Sequence, residues 1–189
     1  MAALPPAIAT ALEEPPRIIS TPSLSINSST FCFDNGAFDL EVPTNGSGGG
    51  WTAVNNDSAG GWVFANDNGF FILNNNGDAQ TDPAIEQTLS GLIVGTEYLI
   101  EGEFCNYYGL GFCNAGAFSF GIEVENSVIL ELQYSDTCYG FDPFAVSFIA
   151  EATEQTIRFS AERNGSDCDY AIDNIRVTSL DMIFSDGFE

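Results

Sequence analysis

Short apolar runs separated by clusters of turn-forming residues constrain the fold of this chain more than any other feature. After residue 30 no amphipathic stretch is long enough for a helix, and Gly, Asn and Asp are concentrated between the apolar runs. Regularly spaced short strands with such turns are typical of antiparallel sandwiches and jelly rolls. We therefore predict an all-β fold, an antiparallel β-sandwich (jelly roll) with an extended N-terminal leader. The turn clusters are TNGSGGG, NNDSAGG, NDNG, NNNGD and NGSD.

Alternation of apolar and polar residues gives the predicted strands and the domain boundaries. Residues 31–180 are predicted to form the sandwich, residues 1–30 a proline-rich leader or linker, and residues 181–189 an acidic tail. Residues 1–11 end in an A-x-A pattern and are interpreted as the remnant of a signal peptide. The predicted strands are Phe31–Phe33, Ala37–Val42, Trp51–Val54, Trp62–Ala65, Phe70–Asn74, Ala84–Leu89, Glu97–Cys105, Ala117–Glu125, Val128–Tyr134, Phe144–Ala150, Gln155–Glu162 and Tyr170–Thr178.

The charge balance excludes several classes of function. The chain has 27 acidic and four basic residues, no histidine and a net charge of −23. Nucleic acid and anionic membrane surfaces are not expected partners, because almost nothing could neutralise their phosphates. No apolar run approaches the ~18 residues of a membrane span. The absence of histidine excludes Ser-His-Asp and Cys-His catalysis and His-ligated zinc, so divalent cations and neutral ligands remain.

The five cysteines favour disulfides over a zinc site, because none of them forms a CxxC motif. Disulfides and the lysine-free composition predict a secreted or extracellular protein, with a bacterial cell surface as one location. If successive strands alternate in direction, the loops at 105–114, 135–143 and 163–169 cluster at one end and hold four cysteines. Four cysteines allow three pairings, and loop geometry favours Cys105–Cys113, closing a hairpin loop, and Cys138–Cys168. Cys32 is left either free or bonded between molecules.

The stretch Asp169–Thr178, DYAIDNIRVT, is predicted to be a strand that points a carboxylate inward. Asp173 falls in the same phase as Ile175 and Val177. A buried carboxylate must be protonated, paired or bound to a metal. The matching acidic stretch, Asp34–Val42, lies near the other end of the chain and can meet it only if the first strand closes against the last. We therefore predict a calcium ion between the two stretches.

Three segments of the chain follow a known pattern: FDNGAFDLE with GGW after it, Phe70–Phe104, and AIDNIRVTSL. They resemble the "NGxFE … GW" opening, the "L…Q…L…G.TYTLSF" core and the closing "DNVSV" strand of carbohydrate-binding-module-type β-sandwiches, which belong to the galactose-binding-domain-like jelly rolls. The matching core residues are Gln87, Leu89, Leu92, Gly95, Thr96 and Tyr98.

This resemblance implies a structural calcium site that joins the first and last strands. Asp39 takes the place of the opening acid and Asp173 that of the closing acid, with backbone carbonyls completing the shell. Because Asp39 replaces the usual Glu and Glu41 follows two residues later, either acid remains a candidate ligand. The alternative is that these acids are solvated or hydrogen-bonded to backbone amides.

Aromatic residues near the cysteine-bearing loops are the candidate ligand contacts. A sugar ring presents apolar C–H patches that stack on aromatic side chains, and exposed aromatics on rigid loops are costly unless they bind something. Loop packing is the alternative for these residues. Trp51, at the GW position, is expected in the core. The candidates are Tyr107, Tyr108, Phe112, Tyr139, Phe141 and Trp62.

Catalysis is not predicted, because glycoside hydrolysis needs two carboxylates facing each other across a cleft. Glu101 and Glu103 lie on the solvent side of one strand, and counting back from the 105–113 turn places Glu103 opposite about Ala115. We therefore predict a secreted, non-catalytic protein that binds a polysaccharide or glycan and carries a structural calcium site. The alternative is an extracellular structural protein, a filament, matrix or surface-layer subunit, that self-associates through residues 1–30.

Overall fold

The computed structural model describes residues 30–31, 33–57, 60–74, 82–106, 118–133, 140–163 and 169–180. Within these ranges the regular structure is all strand, as predicted, and no described segment forms a helix that could cross a membrane. The strands are β1 Thr30–Phe31, β2 Gly46–Gly48, β3 Trp51–Val54, β4 Gly61–Ala65, β5 Asn68–Leu73, β6 Ala84–Ser90, β7 Glu97–Asn106, β8 Phe118–Val124, β9 Ser127–Gln133, β10 Asp142–Ile149, β11 Glu154–Arg163 and β12 Tyr170–Ser179.

Two antiparallel sheets form the predicted sandwich. Sheet A has the order β10-β7-β12-β5-β4, with β1 also paired to β12, and sheet B has the order β2-β3-β6-β11-β8-β9. Apolar side chains of both sheets meet in one core. Phe104 of sheet A stacks on Phe120 of sheet B, with ring centroids 5.0 Å apart, and Phe120 contacts Phe159 at 6.4 Å. Such aromatic pairs add to the stabilisation that burial itself provides.

The first described strand closes against the last, as the sequence predicted. Thr30 pairs with Thr178 in an antiparallel register, which places β1 beside β12. The predicted strand Ala37–Val42, however, is wrong. Asn35 and Phe38 have φ angles of 56° and 50°, and the Phe38 N–H donates to the Asn35 carbonyl at 3.0 Å. Left-handed backbone cannot continue a strand, so this segment forms a turn followed by irregular chain.

β7 and β8 do not form the predicted hairpin. β7 lies in sheet A between β10 and β12, whereas β8 lies in sheet B between β11 and β9. The chain therefore passes from one sheet to the other between these strands. As a consequence Glu103 pairs with Asp173 of β12, and not with a residue near 115.

A β-bulge in β12 reverses the predicted direction of Asp173. Asp173 pairs with Glu103 and Arg176 pairs with Glu101, so two residues of β12 stand opposite one residue of β7. Asn174, one of the two, has a φ of 53°. Directly opposed residues share a face of the sheet, so Asp173 lies on the outer face with Glu103. The inward prediction was wrong because simple alternation does not continue through a bulge.

Candidate functional site

Asp173 is the centre of a polar cluster that we call the acidic junction, formed by Asp39, Asn68, Glu103, Asp173 and Asn174. Although it faces outward, Asp173 is only 1% exposed. Its Oδ2 accepts hydrogen bonds from Nδ2 of Asn68 at 3.0 Å and Nδ2 of Asn174 at 3.3 Å. Its Oδ1 accepts from the Asn174 backbone N–H at 2.6 Å. The carboxylate is thus buried but satisfied, as a buried charge must be.

The acidic junction is assembled where the Asn35–Phe38 turn packs against the bulge of β12 and the start of β5. The Ile175 N–H donates to the Gly36 carbonyl at 2.9 Å. A Cβ on Gly36 would lie 2.0 Å from the Ile175 oxygen, and one on Gly69 would lie 1.9 Å from the Phe38 oxygen. Backbone approaches this close require glycine, because there is no space for a side chain.

Polar side chains hold the opening segment in this position. The Gln87 side chain accepts from the Asp34 N–H at 2.8 Å and donates to the carbonyls of Asp34 and Gly50 at 3.0 and 2.8 Å. Asn35 bonds both backbone groups of Leu40 through its side chain. The Trp51 indole N–H donates to the Asn35 carbonyl at 3.1 Å, and its ring is buried, which confirms the predicted core position.

The electrostatics of the acidic junction favour a cation. Burial raises the pKa of Asp173, while hydrogen bonds from Asn68 and Asn174 lower it. The negative charges of Glu103 and Asp39 raise the pKa further. Two other carboxylates therefore act on Asp173, and no described basic residue is among the groups that change its pKa.

Asp39 is better placed than Glu41 to share a ligand with Asp173. Among the acids of the opening segment, Asp39 is the one whose charge raises the pKa of Asp173. Glu41 is exposed, and its carbonyl packs against Gly49, at 2.6 Å from where a Cβ would be. Of the three residues predicted as metal ligands, Asp39 and Asp173 are thus the pair whose charges interact, and their role as ligands stays a prediction.

The donor chemistry of the acidic junction fits calcium, which prefers carboxylate, carbonyl and amide oxygens. Side chains alone do not suffice: in the described part of the chain no three His, Cys, Asp or Glu residues are grouped to hold a metal ion. Asp39 and Asp173 would therefore need backbone or amide oxygens to complete the shell. The calcium ion stays a prediction.

The predicted aromatic contacts are only partly within the described residues. Trp62 is half-buried, donates through Nε1 to the Phe38 carbonyl at 2.7 Å, and stacks on Phe64 with centroids 5.7 Å apart. Phe64 is 49% exposed. Phe141 packs edge-on against Phe70 at 5.9 Å. Their roles in ligand binding stay predictions, as do those of the remaining candidates, which lie outside the described residues: Tyr107, Tyr108, Phe112 and Tyr139.

Of the cysteines in the predicted disulfides, only one lies within the described residues. Cys105 is fully buried and disulfide-bonded. It lies in a small cluster with Ile72 and Ala171, separate from the main core. Cys105–Cys113 and Cys138–Cys168 stay predictions, because the other four cysteines lie outside the described residues: Cys32, Cys113, Cys138 and Cys168.

Glutamates lie on the outer faces of both sheets. On sheet A, Glu101 forms an ion pair with Arg176 at 3.0 Å, and Glu103 accepts from Asn174 at 3.1 Å. On sheet B, Glu123 accepts from the Ser160 hydroxyl at 3.3 Å. The cavity beside Glu101 and Glu103 is only about 80 Å³, well below the size of ligand pockets. Glu101 and Glu103 therefore lie on a different sheet from Glu123 and do not face it across a cleft.

The sequence reasoning missed two residues of the acidic junction, Asn68 and Asn174. For both residues, the sequence contains a feature that could have indicated this role. Asn68 belongs to an NDNG cluster between two predicted strands, where a side chain at the strand start can reach a neighbouring strand. Asn174 follows the buried acid directly, and Asn tolerates the positive φ that a bulge requires.

Comparison with known proteins shows which solved structures share this fold. No protein-family model matches the chain, and no curated protein matches it in sequence. Among solved structures, TmCBM61 in complex with β-1,4-galactotriose is 14% identical, with a TM-score of 0.52, over 78% of this chain and 97% of that one. In fold, the chain is a β-sandwich of the carbohydrate-binding-module type.

Two further structures show how widely this sandwich type occurs. A proposed sugar-binding protein from Bacteroides thetaiotaomicron is 11% identical, with a TM-score of 0.54, over 78% of this chain and 99% of that one. The enzymatically active domain of tailspike protein 4 from bacteriophage CBA120 is 14% identical, with a TM-score of 0.52, over 77% of this chain and 21% of that one. At such low identity the likeness shows the fold, and activity must be argued from the residues of this chain.

Proposed function

We propose that the chain is a secreted, non-catalytic carbohydrate-binding β-sandwich with a structural calcium site. The observation that carries this proposal is the fold shared with TmCBM61, which spans nearly all of that galactotriose-bound module. The charge of the chain supports a neutral ligand. With a net charge of −23, it would repel nucleic acids and acidic glycans, whereas neutral sugars are indifferent to that charge.

The absence of catalysis is part of the proposal and is supported by the placement of the carboxylates. Glu101 forms an ion pair with Arg176, and Glu103 accepts a hydrogen bond from Asn174, on the outer face of sheet A. A glycosidase needs an acid and a base or nucleophile on either side of a bound glycosidic bond. Side chains held in this way on one strand do not offer that arrangement.

The proposed calcium ion would act on structure. Bound by Asp39 and Asp173, with oxygens from neighbouring groups, it would neutralise the repulsion among the three carboxylates of the acidic junction. It would also link the Asn35–Phe38 turn to β12, which are distant in sequence. The raised pKa of Asp173 supports this role, because a buried acid beside two other acids is stabilised by any cation that reaches it.

Export is supported by composition and by the state of Cys105. The chain has four basic residues among 189, and Cys105 is disulfide-bonded. Disulfides persist in oxidising compartments and are rare in the cytosol. We therefore place the protein outside the cell, where polysaccharides are abundant.

A pull-down on insoluble and gelled polysaccharides tests the proposed function. The purified chain is incubated with each polysaccharide, with calcium and with chelator, and its size in solution is measured in parallel. Retention on a neutral polysaccharide by a monomeric chain supports the proposal. Large assemblies with no retention would contradict it and favour the alternative, a structural subunit that self-associates through residues 1–30.

A further inference from the structure

A groove at one end of the sandwich lies between the edge strands β9 and β10. Its volume is about 370 Å³, within the range of about 300–1,000 Å³ that is typical of ligand pockets. It is formed where β8 turns into β9 and where β10 turns into β11. The opposite ends of these strands lead into residues 134–139 and 107–117, so the groove is distinct from the predicted aromatic loops. Its lining residues are Val124, Glu125, Ser127, Ile129, Phe148, Ile149, Glu151 and Gln155.

Gln155 gives this groove a polar side chain that is held in a fixed position. It is 3% exposed and occupies the same phase of β11 as the core residues Ile157 and Phe159. Its Oε1 accepts from the Glu151 N–H at 3.0 Å. Its Nε2 donates to no described residue, although Gln155 lines the groove. This donor is not a fully buried, unpaired atom, so it reaches solvent, and a water or a sugar hydroxyl in the groove can accept from it.

The rest of the groove combines acceptors with an apolar surface. Glu125 accepts a hydrogen bond from the Thr156 N–H through its Oε1 at 2.5 Å, and its second oxygen accepts from no other described residue. Glu151 is exposed on the rim. Phe148 is nearly buried and stacks on Tyr98 at 5.6 Å, so it forms a rigid part of the lining. Ile149, beside it, is 62% exposed.

These features select one class of occupant. A sugar hydroxyl can accept from Gln155 Nε2 and donate to a carboxylate at the same time, and the C–H face of the ring can pack on Ile149 and Phe148. A lysine or arginine side chain has no acceptor for the Gln155 donor. A uronic acid or sulfated sugar would place an anion beside two carboxylates, which costs free energy.

We propose that this groove between β9 and β10 binds a neutral saccharide unit, with Gln155, Glu125 and Glu151 making the polar contacts. The proposal rests on the proposed carbohydrate-binding function and names the site and the class of sugar. It places the binding site at the β8–β9 and β10–β11 turns and not at the predicted aromatic residues.

Binding of oligosaccharides by the full chain tests this proposal. β-1,4-Galactotriose, xylohexaose and a galacturonic acid trimer are titrated by calorimetry, and amide chemical shifts are recorded by NMR. Gln155→Glu keeps the acceptor for the Glu151 N–H but removes the donor. We expect it to weaken binding of the retained neutral sugar by about tenfold or more. The galacturonic acid trimer should bind at least about tenfold more weakly than the neutral sugars.

Surface variants keep the test independent of folding. Ile149→Ser and Glu151→Gln change exposed side chains of the groove. Ile93→Ser is a matched control, because Ile93 is 58% exposed and lies outside the groove. We expect weaker binding in the two groove variants, unchanged binding in the control, and chemical shift changes centred on Gln155 and Ile149.

Three outcomes would overturn the proposal in distinguishable ways. Neutral sugar binding that persists in Gln155→Glu and Ile149→Ser, with shifts at residues 107–117, would reject the groove and leave carbohydrate binding intact. No binding of any sugar by the wild-type chain would reject both. Groove shifts that appear with protein concentration alone would assign the groove to contact with a second copy of the chain.

Discussion

Asn68 and Asp173, which are 105 residues apart in sequence, are joined by a 3.0 Å hydrogen bond between Nδ2 and Oδ2. This bond connects the start of β5 to the bulge of β12, beyond the point where these two strands stop pairing at Ile172 and Phe71. It is one of three hydrogen bonds that satisfy the buried carboxylate. The acidic junction therefore holds together parts of the fold that the backbone pairing of β5 and β12 does not.

Replacing Asn68 with alanine should destabilise the chain. The variant removes a donor from a buried carboxylate, and loss of such a partner costs about 1–3 kcal/mol. Ser147→Ala, at an exposed position of β10, serves as the control and should change stability by less than about 0.5 kcal/mol. Urea unfolding measured in metal-free buffer gives both values. Equal stability of the two variants would show that the Asn68 contact contributes nothing.

The raised pKa of Asp173 predicts a specific pH dependence. Above the ordinary value of 3.8 and up to the raised folded value, the native state binds more protons than the unfolded state. The contribution of Asp173 to stability is therefore present at low pH and is lost as pH rises through this window. In metal-free buffer, the free energy of unfolding of the wild type relative to Asp173→Asn should fall as pH rises. A relative gain with rising pH would mean that the folded pKa is depressed.

Calcium should stabilise the folded chain through Asp39 and Asp173. At a calcium concentration about 100 times Kd, binding adds about 2.7 kcal/mol, which raises Tm by about 5–10 °C for a domain of this size. Asp39→Asn and Asp173→Asn should abolish this shift, whereas Glu41→Gln should retain it, since the charge of Glu41 is not among those that raise the pKa of Asp173. Differential scanning calorimetry with calcium and with chelator measures the shift. The same shift in Asp173→Asn would remove that residue from the site.

Gly69 should not tolerate even alanine. Its Cβ would lie 1.9 Å from the Phe38 oxygen, and a backbone carbonyl cannot move away as a flexible side chain can. We expect a loss of about 3 kcal/mol or more, at the upper end of overpacking effects. Gly140→Ala is the matched control, because nothing lies within 4 Å of the position of its Cβ. Chemical denaturation of the two variants should separate them clearly, and similar midpoints would show that the turn is not packed as described.

Much of the fold was predictable because short alternating strands between turn clusters leave few alternatives to a sandwich. β3 was predicted with its observed bounds, and β1 closes against β12 as the paired acidic stretches required. The sequence could not show that β7 and β8 do not form a hairpin, because local alternation does not say which sheet a strand joins. That choice depends on packing between the sheets.

The candidate site was less predictable, because its geometry depends on departures from regular structure. The bulge at Asn174 turned Asp173 from the inner to the outer face, and the positive φ of Phe38 replaced an expected strand by a turn. Asn68 acts through a contact with Asp173, 105 residues away, and local alternation of residues does not reveal such a contact.

Calorimetric titration of the wild-type chain with a neutral oligosaccharide from the polysaccharide that retains it tests the central claim most directly. The account predicts saturable binding at one site per monomer, with the oligosaccharide recovered at its original length. Failure to bind any neutral oligosaccharide, or cleavage of the sugar during the titration, would contradict the account of a non-catalytic carbohydrate-binding sandwich.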